Sequence, residues 1–393
     1  MYLSDRLKDL KPSATIAMTA KARELKNQGK DIISLSIGEP DFDIPEFLKE
    51  VAKKAMDQGF NSYSPVGGYA DLKEAVAEKF KRDNNLTYSP SQIVVSTGAK
   101  QSIYNVFQCI INPGDEVLVP APYWVSYIDM AELAGGVCKI IPSDLSTDFK
   151  ITPEQLELAI TPKTKAFIFS SPCNPSGSVY TKEELEALAK VFAKHKHIVI
   201  ISDEIYEHIV YGVKSISIAS IPEMYDQTVT VNGLSKSFAM TGWRIGYLGG
   251  PNWIAKAVET LQGQITSGTN SIAQRAALKA CLTHPKEIQY MIDAFATRRE
   301  RVLSMVKQIP LFKANEPKGA FYIFPDVSAC FGKTFNGVTI KDSDDLALYF
   351  LEHANVATVS GTSFGSPESL RISYAASEEQ LIEAFNRIKI SLE

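Results

Sequence analysis

Cysteine is scarce in this chain of 393 residues. Only Cys109, Cys138, Cys173, Cys281 and Cys330 occur. They are widely spaced, odd in number and form no C-x-x-C pair, so neither a disulfide framework nor a zinc-thiolate site is indicated. Long apolar runs are missing as well: none approaches the roughly 20 residues that a bilayer-spanning helix needs. The opening Met1-Tyr2-Leu3-Ser4-Asp5-Arg6 is charged within six residues and lacks the apolar stretch of a secretory leader, so the expected compartment is the cytoplasm. Neither charge sign dominates, since 41 basic and 45 acidic side chains leave a net −4. That balance carries no electrostatic footprint for nucleic acid and no basic stretch for a membrane surface. G-x-G-x-x-G and G-x-x-x-x-G-K-[ST] are both absent, which argues against a dehydrogenase or an NTPase. H-E-x-x-H spacing is absent too, and no metal is expected.

What is present is a globular composition, 45% hydrophobic and 22% charged, at a length that predicts two domains. The middle of the chain alternates strand and helix. Gln92–Ser96 is β-rich, and Ile103, Val106, Phe107 and Ile110 then recur at helical spacing until Asn112-Pro113-Gly114-Asp115. Val117–Val119, Ala166–Phe169 and Ile198–Ile201 are further apolar runs, and Thr181 with Glu184 forms a capping box between the last two. These runs are apolar throughout rather than alternating, as parallel strands buried on both faces require. The fold class expected is α/β: a three-layer, mainly parallel sheet in a large domain (45–284), followed by a smaller α+β domain (285–393). The first segment (1–44) is assigned to the smaller domain.

In open parallel sheets, ligands bind beyond the carboxyl ends of the strands. The residues just after the apolar runs are Thr97-Gly98-Ala99-Lys100, Ala121-Pro122-Tyr123-Trp124, Ser170 to Pro175, Ser202 to Tyr206, and Asn232 to Lys236. A helix start, a large aromatic, an amide, a carboxylate with a phenol, and a lysine are thereby brought to one edge. Each has a plainer reading alone: Gly98 as a turn, Trp124 as core, Asn174 as loop, Asp203 as a helix cap, Lys236 as a solvated lysine. Their convergence is what points to a ligand site. Gly361-Thr362-Ser363-Phe364-Gly365 matches the nucleophile elbow G-x-S-x-G. That motif needs a histidine later in the chain, and His353 is the last one, so a serine hydrolase is not supported.

Ser235-Lys236-Ser237-Phe238-Ala239-Met240-Thr241-Gly242-Trp243-Arg244-Ile245-Gly246 resembles the pyridoxal-phosphate lysine segment of the class I aminotransferases. Asn174-Pro175, Asp203-x-x-Tyr206 and Arg371-Ile372-Ser373 stand in the order and spacing of that family. Lys11-Pro12-Ser13-Ala14-Thr15 and Gly38-Glu39-Pro40-Asp41-Phe42 are similar to segments of its bacterial aspartate aminotransferase subgroup, which the chain resembles most. The resemblance spans essentially the whole chain. It implies the fold type I architecture and pyridoxal 5'-phosphate as cofactor, with Lys236 holding it covalently and moving the substrate proton. Asp203 would keep the cofactor ring nitrogen protonated, Tyr206 and Asn174 would bond its ring oxygen, and Trp124 would stack on the ring. The N–H groups of Gly98, Ala99 and Lys100, with Ser235 and Arg244, would bind the phosphate.

The resemblance also implies that Arg371 grips the substrate α-carboxylate, with Gly38, Trp124 and Asn174 beside it. Arg371 stands opposite the bulky Leu370, Ile372 and Tyr374 in strand alternation, and a planar guanidinium suits a carboxylate. Tyr63 would reach the phosphate of a second subunit, making an obligate homodimer with shared sites. The activity implied is transfer of the amino group of L-aspartate to 2-oxoglutarate by a ping-pong mechanism. Aromatic amino acids or prephenate as substrates, and a carbon–sulfur β-lyase, are the alternatives. A cofactor-binding regulator would need a DNA-binding domain, and none is expected ahead of Tyr2-Leu3. By the same resemblance alone, Ser13 and Thr15 are candidates for a distal carboxylate. Cys173 and Ser176 replace the Asn and Thr common in the family's Asn-Asn-Pro-Thr-Gly, and Gly233 replaces a serine found in some relatives.

Overall fold

A computed structural model describes residues 4–8, 10 and 12–393. Met1 to Leu3 of the opening segment, and Lys11, lie outside the described residues. Seven strands form one sheet in the spatial order Ile93–Ser96, Gly246–Gly249, Thr228–Gly233, Val199–Asp203, Thr164–Ser170, Glu116–Pro120, Val137–Ile141. All neighbours run parallel except Gly246–Gly249, which is antiparallel to both of its partners. The strand pleat sends alternate side chains to opposite faces. Val94, Val117, Val119, Ile168 and Ile201 pack on helices Ala99–Ile110, Ser126–Leu133 and Asn252–Ile265. On the other face, Leu118, Phe167, Phe169 and Ile200 pack on Lys182–Phe192, while Ile93, Val95 and Tyr247 pack on Ala70–Asn84 and Ser271–Leu282. Both faces are covered, which is why the strands read as continuous apolar runs. The result is the three-layer α/β arrangement.

A second core gathers around a three-stranded antiparallel sheet ordered Val359–Ser360, Leu370–Ser373, Tyr322–Ile323. The run 356–359 forms two strands. Val356–Ala357 pairs in parallel with Ile33–Ser34, and Val359–Ser360 pairs with Leu370–Ser373. Thr358 lies between them, so the chain serves two sheets where the apolar pattern shows one run. The long helix of this core is preceded by a 3-10 turn, Pro285–Ile288, and is α-helical over Gln289–Val306. Proline at the first position removes an N–H that has no partner in any case. No helix among the described residues is long and apolar enough to cross a membrane.

Candidate active site

The loops at the carboxyl ends of the parallel strands meet the three-stranded sheet at a cleft of about 520 Å³. Asp203 ends its strand inside this cleft and is buried. Its Oδ2 accepts a hydrogen bond from the Tyr127 hydroxyl at 2.7 Å, and its Oδ1 accepts the Ile205 N–H at 3.3 Å. Burial pushes its carboxyl up to about 6, against the stabilising pull of Tyr127, the Ile205 N–H and the Lys236 charge. Lys236 follows strand Thr228–Gly233 by three residues, and its ammonium donates to the Gly38 carbonyl. Burial brings that amine down to about 8, with Glu39 opposing the shift and the Arg371 and Arg244 charges adding to it. The cleft thus holds a carboxyl and an amine whose proton affinities have moved toward each other, the pattern expected of an acid–base site.

Gly98 precedes the helix Ala99–Ile110 with φ +87°, in the left-handed region where a side chain is strained. A Cβ there would come within 2.5 Å of Arg244 Nη2. Glycine is therefore what lets the guanidinium lie against the first turn of the helix. Arg244 is fixed by its own bond from Nη1 to the Thr241 carbonyl, 2.8 Å. Unpaired N–H groups, the helix dipole and a guanidinium at one point make a receptor for an anion. Lys100 sits one residue into the helix, its ammonium 4.7 Å from the centre of the Trp124 ring. Burial lowers its proton affinity, and Arg244 lowers it further.

Opposite stands Arg371, from the middle strand of the small sheet and 1% exposed. Nη1 donates to Asn174 Oδ1 at 3.0 Å and Nη2 to the Ser36 carbonyl at 2.7 Å. The guanidinium lies 4.6 Å from the Tyr322 ring centre and 5.0 Å from that of Phe364. Its Nε has no partner, and no carboxylate pairs with it among the described residues. A buried cation with no counter-charge is costly, a cost that a carboxylate placed there would relieve. Gly38 is the clearance for this corner, because a Cβ there would sit 2.9 Å from the Tyr322 hydroxyl.

The family model described as "Aminotransferase class I and II" matches residues 30–388. The chain belongs to the class I and II aminotransferases. It is 49% identical to the aspartate/prephenate aminotransferase of Cereibacter sphaeroides over 392 residues, covering 99% of this chain and 98% of that protein. Among solved structures, the aspartate aminotransferase from Rhizobium meliloti superposes with a TM-score of 0.97 at 40% identity, over 100% of this chain and 99% of that one. That of Thermus thermophilus with maleate superposes with a TM-score of 0.93 at 42% identity, over 100% of both chains.

In this aminotransferase, Gly38, Ala99, Lys100, Trp124, Asn174, Asp203, Tyr206, Ser235, Lys236, Arg244 and Arg371 all line the one cleft, and Ser13 and Thr15 line it as well. Gly98 packs behind it against Arg244. Tyr63 does not line it and is 96% exposed. Tyr206 exchanges a 2.8 Å hydrogen bond with the Tyr322 hydroxyl, a partner the sequence reading did not contain. Tyr127 on Asp203 and the Ser36 carbonyl on Arg371 were missed in the same way. The one signal for Tyr127 is its place one helical turn after Trp124. Cys173 is buried with its Sγ 3.6 Å from the Pro122 carbonyl, and burial raises its thiol, so it packs as a small protonated residue. The Gly361–Gly365 segment supplies Phe364 beside Arg371, and the ring of His353 stacks on Tyr349 at 4.7 Å.

Proposed function

We propose that this aminotransferase works with pyridoxal 5'-phosphate and moves the amino group of L-aspartate to 2-oxoglutarate in two half-reactions. The observation that carries the reading is the pairing, in one cleft, of Lys236 with the buried, uncompensated Arg371. The donor set suits the cofactor. The Gly98–Arg244 cradle fits a phosphate, the buried Asp203 carboxylate fits a ring N–H, and an amine brought down to about 8 fits an aldehyde. When bound, the cofactor supplies an electron sink for the pair of electrons left at the substrate Cα. Asp203 keeps its negative charge at the ring nitrogen because Tyr127 and the Ile205 N–H bond the ionised form. Lys236 takes the proton from the substrate Cα and returns it nearby as a general base and then a general acid. Arg371 holds the α-carboxylate and so orients the Cα–H toward Lys236, with Asn174 fixing the guanidinium plane.

Aspartate is supported by the names of the relatives and by maleate, a four-carbon dicarboxylate, in the Thermus structure. Prephenate as an acceptor is the second reading. It is favoured by the name of the Cereibacter relative and by Ile16 and Ile37, exposed apolar side chains on the wall of the cleft. We further propose a homodimer in which the exposed Tyr63 serves the partner's site, and a cytoplasmic setting in keeping with five free thiols. The chain is read as a cofactor domain over 45–284 and a clamp domain over 285–393 joined by 1–44, a division supported by the pairing of Ile33–Ser34 with Val356–Ala357. The test is an absorbance spectrum of the holoenzyme with and without L-aspartate. A near-visible cofactor band that bleaches on addition, with oxaloacetate released, is expected. Pyruvate and ammonia from β-substituted amino acids, with no keto acid from aspartate, would overturn transamination in favour of a lyase.

A further inference from the structure

The turn that carries Asp203 and Tyr206 has a second side. Asp203, Ile205 and Tyr206 face the cleft, whereas Glu204 and Glu207 are buried against the end of helix Ala70–Asn84. Lys79 of that helix, 3% exposed, pairs with Glu207 Oε1 and donates to Asn84 Oδ1 at 2.8 Å. The Asn84 amide in turn donates to Glu207 Oε2 at 2.6 Å and to Glu204 Oε2 at 3.3 Å. Glu204 Oε1 accepts the Ser202 and Ser217 hydroxyls at 2.8 and 2.6 Å. His208 completes the cluster, 3.6 Å from Asp83 and 3.3 Å from Glu207, and Arg82 holds Asp83 from outside. Burial raises the Glu204 carboxyl to about 7 and lowers His208. Burial also works to raise Glu207, but Lys79, His208 and the Asn84 amide together outweigh it and leave that carboxyl below its ordinary value. Asp83, Glu207 and His208 bring ligand atoms within 4.8 Å of one another, and the cation among them is the lysine's own.

Apolar packing of similar volume would hold a helix to a turn at least as firmly as a buried ion pair. What the charged network adds is direction, since each carboxylate oxygen has a named donor. The turn is also stiff, with Glu207 N–H bonded to the Glu204 carbonyl at 2.9 Å and Ile209 N–H to the Tyr206 carbonyl at 2.8 Å. Fixing Glu204 and Glu207 from behind therefore fixes Asp203 and Tyr206 in front. We propose that Lys79 is a positioning residue of this aminotransferase: by pairing with Glu207 it sets where Asp203 and Tyr206 stand in the cleft. This rests on the function proposed above.

The test compares Lys79→Met with the double variant Lys79→Met/Glu207→Leu, which removes the stranded carboxylate and so restores the melting temperature. In both, the kcat for aspartate is expected to fall about 100-fold, the loss typical of a catalytic group misplaced by about 1 Å. The KM for aspartate should hold, because Arg371 is untouched. Titration of the apoproteins with pyridoxal phosphate should show weaker binding in both variants. If the double variant recovers wild-type kcat and cofactor affinity along with its melting temperature, the pair is structural only and the proposal is overturned. If Lys79→Met does not fold, the double variant carries the comparison alone. A wild-type spectrum that no amino donor changes would break the activity reading, while the cofactor titrations would still decide the role of Lys79.

Discussion

The two walls of the cleft differ in kind. On the side of the seven-stranded sheet stand groups whose protonation is in play, with Asp203 raised to about 6 and Lys236 lowered to about 8. On the side of the three-stranded sheet stands Arg371, whose proton stays in place and whose value is geometric: two directed N–H bonds, two aromatic rings and, among the described residues, no counter-ion. On the function proposed above, proton chemistry and substrate grip would therefore belong to separate sheets. They should be separable by mutation, the first wall governing kcat and the second KM.

The largest expected effect is at Lys236. Lys236→Ala should lower transamination by about ten-thousandfold, the upper range for loss of a general acid–base group, and stopped-flow absorbance with aspartate would measure it. Retained turnover would sink the assignment of the first wall. Next, Asp203→Asn should cost about 10²–10³ in kcat, as removal of one preorganised electrostatic partner does, with little change in KM. On the second wall, Arg371→Lys forfeits the two-pronged grip, worth roughly 1.5–3 kcal/mol for charged hydrogen bonds, so kcat/KM should fall about 10–150-fold, mostly through KM. A kcat loss with unchanged KM would erase the contrast between the walls.

Acidity gives a finer probe of the first wall. Only the unprotonated amine attacks an aldehyde, and burial leaves Lys236 near 8 rather than 10.5. Uptake of pyridoxal phosphate by the apoprotein should therefore rise about tenfold per pH unit below 8 and level off above it. A plateau reached only above pH 10 would show an ordinary, solvated lysine. The smallest effect is predicted for Tyr127→Phe, which removes one bond to the ionised Asp203. About 1.5 kcal/mol is at stake, and cofactor affinity, followed by titration, should weaken roughly tenfold while the KM for aspartate stays fixed.

Much of this was legible in the sequence because parallel strands buried on both faces leave uninterrupted apolar runs, and the residues just after each run arrive at one edge. Gly98, Trp124, Asn174, Asp203 and Lys236 were found that way, from local pattern and a topological rule. The partners of those residues were not legible. Tyr127 reaches Asp203, Ser36 reaches Arg371 and Tyr322 reaches Tyr206 across separations set by the packed sheets, and no local periodicity encodes such distances. Lys79 was hidden for a different reason: a lysine on a polar-patterned helix reads as solvated, and only the buried Glu207 opposite explains it. The split of 356–359 into two strands was invisible because both halves are apolar and differ only in the neighbour each one meets.

Ile33–Ser34, by the start of the chain, pairs with Val356–Ala357, near its end. The strand of Arg371 lies later still. A chain emerging from the ribosome can lay down the whole seven-stranded sheet, with Asp203 and Lys236 in it, before the residues that complete the other wall exist. The early segment must wait for them, and closing so long a loop comes late because its entropy is lost before any contact compensates it. The order of synthesis therefore makes the wall of Asp203 and Lys236 first and the wall of Arg371 last, so that the cleft itself becomes whole only when the late strands have docked.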